Sequence, residues 1–272
     1  MPAWVPACSG AVDRWRNRLE RRRDTEALPC APGGADARAF VRELAHERHG
    51  YRVDDGWEEW LHDALGAPWP CRERERFAAL WRTLGGELDG TPVPGTLWDA
   101  DPAFARAAFC AARHGDAGRV VETGVARGIT SRCLLEALAA DGQLWSIDML
   151  PNDRAWAAMT RTAVPRELAE RWTYVAGSTR RRLPPLLREI APIDVFLHDS
   201  HHTGATMRFE LGEAWPRLRP GGVLLCDDVQ ENRAFAELVD GLPGERWAVG
   251  QEEHKPALFG IAVRPVRPDA GS

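Results

Sequence analysis

The chain has 272 residues, 44% hydrophobic and 28% charged, which is a globular composition long enough for one large domain or a domain with an accessory segment. A formal net charge of −5 argues against nucleic acid as the main partner. No segment reaches the roughly 18 apolar residues of a membrane span. The N-terminal MPAWVPACSG also lacks the basic and apolar regions of a signal peptide. We therefore expect a cytoplasmic protein without membrane or nucleic-acid partners, and leave a homo-oligomer open.

Two scarce residue types limit the chemistry. The six cysteines form no CxxC pair, and their spacing resembles no disulfide or zinc framework, so we interpret them as isolated reduced thiols, mostly buried. Lys255 is the only lysine, so most sites in this chain cannot use a lysine base. The cysteines are Cys8, Cys30, Cys71, Cys110, Cys133 and Cys226.

In residues 1–100 the spacing of apolar residues predicts helices, which are joined by proline- and glycine-rich turns. The Pro/Gly stretch at 92–95 is the best boundary candidate, so we predict a helical N-terminal extension at 1–98 (a cap, a lid or a dimerisation element) and a second domain at 99–272. His46 and His49 lie in HERH, which lacks the spacing of the HExxH zinc motif. The four helical faces carry Val12, Trp15 and Leu19; Phe40, Val41, Leu44 and Ala45 within 37–49; Trp57, Trp60, Leu61 and Leu65; and Phe77, Leu80, Trp81 and Leu84. The turn signals between them are at 32–34, 66–68 and 85–86.

After residue 100 short apolar strands alternate with helices, which indicates a mostly parallel sheet covered on both faces. Such sheets bind ligands outside the carboxyl ends of their strands. The predicted strands are 119–121, 143–147, 172–175, 193–197, 223–226, 246–249 and 258–263. The predicted helices are 101–114, 129–140, 154–162, 182–190, 205–218 and 231–242.

The first of these strands continues into a glycine loop, ETGVARG at 122–128, that precedes a helix. Glycines let the backbone turn tightly and approach a ligand closely. The dinucleotide fingerprint GxGxxG has glycine where this chain has Glu122, and that carboxylate would repel a pyrophosphate. A ligand with a cationic end suits the loop better. The pattern E-x-G-x-x-x-G resembles motif I of the class I S-adenosylmethionine (SAM)-dependent methyltransferases.

This resemblance implies an α/β fold, a Rossmann-like seven-stranded mostly parallel sheet with an antiparallel last strand. The helical N-terminal extension predicted above would precede this fold. It also implies SAM as cofactor. Asp148 ends the second strand, where a carboxylate can accept both hydrogen bonds of a ribose diol. Ser178 ends the third strand, where such folds commonly meet the adenine. The predicted cofactor-binding residues are Glu122, Thr123, Gly124, Gly128, Ser131, Asp148, Ser178 and Asp199.

Carboxylates follow the fourth and fifth strands. The segment VFLHDSHH at 195–202 ends an apolar run in one carboxylate and three imidazoles, which suits a metal site, an acid/base site or a polar turn. The fifth strand ends in Asp227-Asp228. Because neighbouring strands lie about 4.8 Å apart, Asp199 can converge with this pair. Unpaired acids would raise one another's pKa, a divalent cation would relieve this, and an all-oxygen set favours Mg²⁺, Mn²⁺ or Ca²⁺ over zinc.

These acidic ends are similar to those of the metal-dependent small-molecule O-methyltransferases, the group that includes catechol O-methyltransferase and the macrocin-type enzymes. The resemblance covers about residues 100–265 and implies Asp199, Asp227 and Asp228 as metal ligands. In this family the residue three positions after the strand-four aspartate is the base, often histidine in a D-x-x-H branch. Here it is His202, so the implied catalytic residues are His202 and Asp199.

Four other polar residues lie near these motifs, and for most of them a structural role is a simpler interpretation than a catalytic one. His198 lies within the strand and is expected to be a hydrogen-bonded core histidine. His201 and Glu210 are expected to be mainly structural, with a substrate or second-sphere role left open. His254 lies between the last two strands and could contact substrate if that hairpin opens at the site.

We therefore predict a SAM-dependent O-methyltransferase that transfers a methyl group to a hydroxyl of a small molecule, a natural-product sugar or a phenol. A divalent cation would acidify that hydroxyl, and His202 would accept its proton. One alternative is a metal-independent SAM methyltransferase acting on N, C or O. A second is a catalytically inactive SAM-binding protein, and a third, an NAD-dependent dehydrogenase, is disfavoured by Glu122.

Overall fold

A computed structural model describes residues 36–88, 100–149 and 154–266 of the protein. The helix predicted around residues 12–19, the 92–95 turn and the 98/99 boundary lie outside these ranges, so the division into two domains stays a prediction. No helix in the described ranges has the length and apolar character needed to cross a bilayer. The helices are α1 (Ala37–His49), α2 (Trp57–Ala64), α3 (Arg74–Leu88), α4 (Pro102–His114), α5 (Ile129–Ala137), α6 (Arg154–Met159), α7 (Thr179–Ile190), α8 (Gly204–Ala214) and α9 (Ala234–Val239). The strands are β1 (Arg119–Thr123), β2 (Gln143–Asp148), β3 (Trp172–Ala176), β4 (Ile193–His198), β5 (Leu218–Cys226), β6 (Trp247–Gln251) and β7 (Leu258–Val263).

The strands form one sheet in the order β3-β2-β1-β4-β5-β7-β6. Strands β1 to β5 pair in parallel, whereas β7 runs antiparallel between β5 and β6. This confirms the predicted Rossmann-like architecture with an antiparallel last strand. The chain order reverses beside β1, so the carboxyl ends of β1 and β4 flank the crevice where such sheets bind ligands.

Alternate residues of the central strands face two separate cores. In β4, Val195 and Leu197 pack with α4 and α5, whereas Phe196 packs on the other face with α7 and α8. The same alternation separates Leu225 from Leu224 in β5. Both faces are fully buried, which explains why these strands read as continuous apolar runs in the sequence.

Helices α1 and α2 pack against the sheet domain. The ring of Trp57, the first residue of α2, meets Phe259 of β7 edge-on at 5.2 Å. Tyr51, 2% exposed, joins the core around Phe235. Val53 also forms an isolated bridge with Val249 in β6. Residues 36–88 therefore share their core with the sheet.

Several predicted element boundaries are wrong, and backbone chemistry explains two of them. The helix predicted at 205–218 ends at Ala214, because Pro216 lacks the N–H that would continue it, and a 3₁₀ turn follows. The helix predicted at 231–242 is reduced to α9, because Asp228 takes a left-handed conformation (φ 52°) and starts a 3₁₀ turn first. The helix predicted at 182–190 begins at Thr179, and the turn predicted at 85–86 lies inside α3.

Candidate active site

The register of β4 and β5 brings three predicted site residues together. His198 pairs with Cys226, so Asp199 and Asp227 follow directly at the same edge. The Asp199 N–H donates to the Thr123 carbonyl at 2.8 Å, and the Asp227 N–H donates to the His198 carbonyl at 2.9 Å. One side-chain ligand atom from each of Asp199, His202 and Asp227 lies within 4.8 Å of the others. These three residues form the centre of a carboxylate cluster.

Asp228 lies beside His202 in this cluster. Its Oδ2 is 3.6 Å from His202 Nε2, and Asp199 Oδ1 is 3.7 Å from the same nitrogen. Gln230 Nε2 donates to the other oxygen of Asp228 at 2.8 Å and so fixes the carboxylate. The imidazole is therefore held between two carboxylates, at a side-chain exposure of 15%.

Two members of the carboxylate cluster were missed from the sequence. Glu252 and Lys255 come from the hairpin between β6 and β7, and Lys255 Nζ lies 3.5 Å from Glu252 Oε2. The Glu252 side chain is completely buried. Their position in the sequence could have indicated them, because the hairpin between the last two strands was expected to open at the site. Only His254 was considered in that hairpin. His254 itself is exposed.

The cluster contains more negative than positive charge. Burial, followed by the charge of Asp228, raises the pKa of Asp227 to about 6. Burial and the charge of Asp227 likewise raise the pKa of Asp199 and Glu252 well above the usual range. Burial opposes the charged form of Lys255, yet the carboxylates around it, Glu252 foremost, raise its pKa. One ammonium therefore faces four carboxyl groups, so an added cation would be stabilised here.

Asp101 fixes the hairpin that carries Lys255. Its carboxylate caps α4 by accepting the Ala103 N–H at 2.9 Å. The same carboxylate accepts the Glu253 N–H at 2.8 Å and the His254 N–H at 2.7 Å. Asp101 is 1% exposed, so these are buried charge-assisted hydrogen bonds. The start of α4 thereby holds the hairpin at the site.

The glycine loop has the backbone that its sequence predicts. Gly124 takes φ +84°, and a Cβ there would lie 1.8 Å from the Asp199 carbonyl oxygen, so only glycine fits. Gly128 takes φ +86° at the start of α5. Asp148 Oδ2 accepts the N–H groups of Val125 and Ala126 at 2.9 and 3.1 Å. Asp148 therefore holds the loop, in addition to its predicted contact with a ribose.

Glu122 lies underneath the glycine loop. It is 1% exposed and accepts the hydroxyl hydrogens of Ser131 at 2.5 Å and Ser146 at 2.7 Å. Trp172 Nε1 donates to Ser146 in turn. Burial raises the pKa of Glu122 to about 7, against the lowering effect of the two serines. In this structure Glu122 and Ser131 join β1, β2 and α5 to one another, and their predicted cofactor contacts remain proposals.

Glu210 plays a corresponding part beneath Asp199. Its carboxylate accepts the Thr123 hydroxyl at 2.6 Å and the Ser200 hydroxyl at 2.9 Å, and lies 2.7 Å from His198 Nδ1. Glu210 and His198 are both fully buried. Although burial opposes it, the charge of His198 lowers the pKa of Glu210. His198 is thus the hydrogen-bonded core histidine expected from the sequence, and the Thr123 hydroxyl points into the same network.

Two remaining residues lie at the edge of the site. Ser178 precedes α7 at the end of β3, partly exposed and without a side-chain capping hydrogen bond. His201 is exposed to solvent. The structure therefore places the predicted residues from Glu122 to Asp228 along one edge of the sheet, in two adjoining groups: the glycine loop with Asp148 and Ser178, and the carboxylate cluster.

The comparisons with known proteins agree with this architecture. Residues 121–229 match a protein family described as "Methyltransferase domain". The fold is similar to an O-methyltransferase from Bacillus cereus in complex with S-adenosylhomocysteine (SAH), at 16% identity and a TM-score of 0.50, covering 76% of this chain and 96% of that one. It is also similar to the O-methyltransferase TomG from Streptomyces achromogenes, involved in tomaymycin synthesis and in complex with SAM, at 18% identity and a TM-score of 0.50, covering 85% and 100%. A comparison with curated proteins found no match. The family match indicates a methyltransferase domain, and the solved structures share its fold.

Proposed function

We propose that this protein is a SAM-dependent O-methyltransferase that methylates a hydroxyl of a small molecule, a natural-product sugar or a phenol, with a divalent cation and a histidine base. One observation carries this proposal. The carboxylates of Asp199, Asp227 and Asp228 and the imidazole of His202 converge at the ends of β4 and β5, next to the glycine loop.

The residues present fit a divalent cation. Asp227 Oδ1 and both carboxylate oxygens of Glu252 are buried, and no donor among the described residues hydrogen-bonds to them. Asp199, Asp227 and Asp228 would hold the ion, and a set of carboxylate oxygens suits Mg²⁺ or Mn²⁺. When bound, the ion would lower the pKa of a substrate hydroxyl and orient it.

His202 is the proposed base. Its Nε2 would accept the proton of the substrate hydroxyl, and Asp199 and Asp228 would stabilise the resulting imidazolium from 3.7 and 3.6 Å. The deprotonated oxygen would then form a bond to the methyl group of SAM while the bond from that methyl to sulfur breaks, which would leave S-adenosylhomocysteine. Alignment of these two reactants by the glycine loop and the carboxylate cluster would supply much of the rate acceleration.

The same geometry allows His202 to be a third ligand, since its nitrogen lies within 4.8 Å of ligand atoms of Asp199 and Asp227. The variant His202→Gln separates the two roles. A base predicts loss of methyl transfer with Mn²⁺ affinity changed less than about threefold, whereas a ligand predicts loss of Mn²⁺ binding as well. Titration of Mn²⁺ followed by electron paramagnetic resonance measures that affinity without turnover.

Lys255 favours the metal-independent alternative, because its ammonium already supplies one positive charge to the carboxylate cluster. One ammonium offsets only one of four carboxyl groups, so we prefer the metal-dependent proposal. The deciding experiment screens phenols and sugars with isotopically labelled SAM, detects the methylated product by mass spectrometry, and repeats productive reactions after exhaustive dialysis against EDTA.

Loss of product in EDTA and recovery with Mg²⁺ or Mn²⁺ would support the metal-dependent enzyme. Full activity in EDTA would support the metal-independent one. Calorimetry with SAH and with NADH provides the control for the cofactor itself. Binding of NADH without SAH would reject both proposals.

A further inference from the structure

A second group of metal-ligating side chains lies away from the carboxylate cluster, among the helices. His62 on α2, Cys71 in the segment before α3, and Cys110 and His114 on α4 each offer one ligand atom. These four atoms all lie within 4.8 Å of one another. We call these four residues the Cys/His cluster. They are separated by up to 52 positions in the sequence, so their spacing showed no zinc motif.

The geometry points to a structural zinc site, and we propose that the Cys/His cluster binds one Zn²⁺ through two sulfurs and two nitrogens. Two cysteines with two histidines are a ligand set of structural zinc, which prefers tetrahedral coordination. Zinc bond lengths of about 2.0–2.3 Å place tetrahedral ligands roughly 3.4–3.8 Å apart. Cys71 Sγ already lies 3.4 Å from His114 Nε2. Adjustments on the order of 1 Å would bring the remaining atoms to these distances.

The orientation of His62 provides an independent observation. Its ring is fully buried, and its Nδ1 lies 2.8 Å from the Pro68 carbonyl oxygen, to which it must donate. Nδ1 therefore carries a proton, and in the neutral imidazole Nε2 presents a lone pair. That Nε2 is buried with no hydrogen-bond partner among the described residues. A zinc-bound histidine typically donates its second N–H to a backbone carbonyl in this way.

The surroundings suit a structural site. Cys110 and His114 are four residues apart on α4 and so lie on the same face of that helix. Cys71 is 8% exposed and Cys110 is 1% exposed, and with His62 and His114 they would leave no coordination position for a substrate. The ion would join α2 and the segment before α3 to α4. Since α4 has 13 residues, its capped start at the active-site hairpin lies about 20 Å from this end.

The test measures zinc by mass spectrometry in wild-type protein that was purified with reductant from zinc-supplemented cultures and then dialysed into metal-free buffer. We expect about one zinc per chain in the wild type and less than about a tenth of that in Cys71→Ala and Cys110→Ala. Cys133→Ala is the matched control, since Cys133 is a fully buried thiol on α5 outside the cluster. Asp227→Asn tests whether zinc binds at the carboxylate cluster instead.

Cobalt substitution of the wild type gives a result that does not depend on the folding of any variant. Cobalt bound by two thiolates shows an intense thiolate-to-metal charge-transfer band, which a carboxylate and imidazole site cannot produce. The presence of that band, with zinc retained in Asp227→Asn and Cys133→Ala, supports the proposal. Its absence from the wild type, zinc loss in Asp227→Asn alone, or a Cys71–Cys110 disulfide in peptides of freshly purified protein would overturn it.

Discussion

The carboxylate cluster and the Cys/His cluster differ in the type of their ligand atoms and in the exposure of their side chains, and both properties affect the role that a bound metal could have. The proposed ligands of the first are three carboxylates at strand ends, and their exposure rises from 4% at Asp227 to 29% at the side chain of Asp199. The second is built from sulfur and nitrogen ligands between helices, and three of its four members are less than 9% exposed. The open cluster can admit a substrate, whereas the closed cluster can only hold the chain together. The exposure and type of the ligands, more than their number, separate a chemical site from a structural one.

The two clusters also differ in how they are supported. Two buried acids, Glu122 under the glycine loop and Glu210 beneath Asp199, are each bound by two or more side chains of neighbouring elements. At the Cys/His cluster a single buried acid among the described residues, Glu58, acts on Cys110 and pairs with Arg106 at 3.2 Å, and His62 contacts the ring of Trp69 at 5.3 Å. Metal loss should therefore affect catalysis at one cluster and stability at the other.

The largest effect is expected from Asp199→Ala and Asp227→Ala. Each removes a carboxylate from the open cluster, so methyl transfer should be abolished and Mn²⁺ affinity should fall at least about 100-fold. The affinity for SAH should change less than about tenfold, because the glycine loop is untouched. Calorimetry with SAH and Mn²⁺ titration measure the two affinities separately. Wild-type rates in both variants would refute the metal site, and a zinc content unchanged from wild type would confirm that the clusters are independent.

The next largest effect is expected at Glu210. Glu210→Ala leaves His198, Thr123 and Ser200 without their shared partner in a fully buried position, which should lower the free energy of unfolding by about 3–5 kcal/mol. Urea denaturation followed by circular dichroism measures this change.

The same helix offers a control for that variant. Glu213 pairs with Arg217 at 2.9 Å, and both side chains are 28% exposed, so Glu213→Ala should cost only about 0.3–0.5 kcal/mol. If Glu210→Ala and Glu213→Ala lowered the free energy of unfolding by the same amount, the Glu210 network would not support the site.

A smaller, pH-dependent effect is expected at Glu122. Burial raises its pKa from 4.5 to about 7, so the folded state holds this proton to a higher pH than the unfolded state does. Stability contributed by the protonated form is therefore lost as pH rises from 4.5 to about 7, by about 3 kcal/mol in total. Glu122→Gln should remove this slope. Urea denaturation of both proteins without SAM or metal, at several pH values across this window, gives the comparison, and parallel stability profiles would contradict it.

Much of the carboxylate cluster could be predicted from the sequence, because parallel strands place local motifs at one edge. Asp199 and Asp227 each follow an apolar strand, so strand order alone brings them together. The Cys/His cluster could not be predicted, because its members meet only through the packing of α2 against α4. Cys71 and Cys110 are free and buried, as expected, but the sequence did not show that they lie beside two histidines.

The boundaries of elements were the other weak point. Pro216 and the left-handed Asp228 interrupt two segments in which the helical spacing of apolar residues continues. That spacing gives no information about a missing backbone N–H or a positive φ, so it predicted helices that are too long. The supporting acids were hard to foresee for a related reason. Glu122 was expected to face a cationic ligand, but whether a carboxylate faces ligand or core depends on where Ser131 and Ser146 point.

The smallest effect is expected at Lys255, which the sequence analysis did not assign to the site. Its ammonium lies 3.5 Å from Glu252, and its side chain is 20% exposed. The ammonium is close to the carboxylates that are proposed to hold a divalent ion. Because like charges repel, Lys255→Met should bind Mn²⁺ about tenfold more tightly, roughly 1.4 kcal/mol, at low ionic strength, and salt should reduce the gain. Lys255→Arg keeps the charge and should remain near wild type. Weaker Mn²⁺ binding in Lys255→Met would instead mean that the ammonium positions Glu252 and Asp227 for the ion, so the sign of the change decides whether Lys255 opposes the cation or prepares its site.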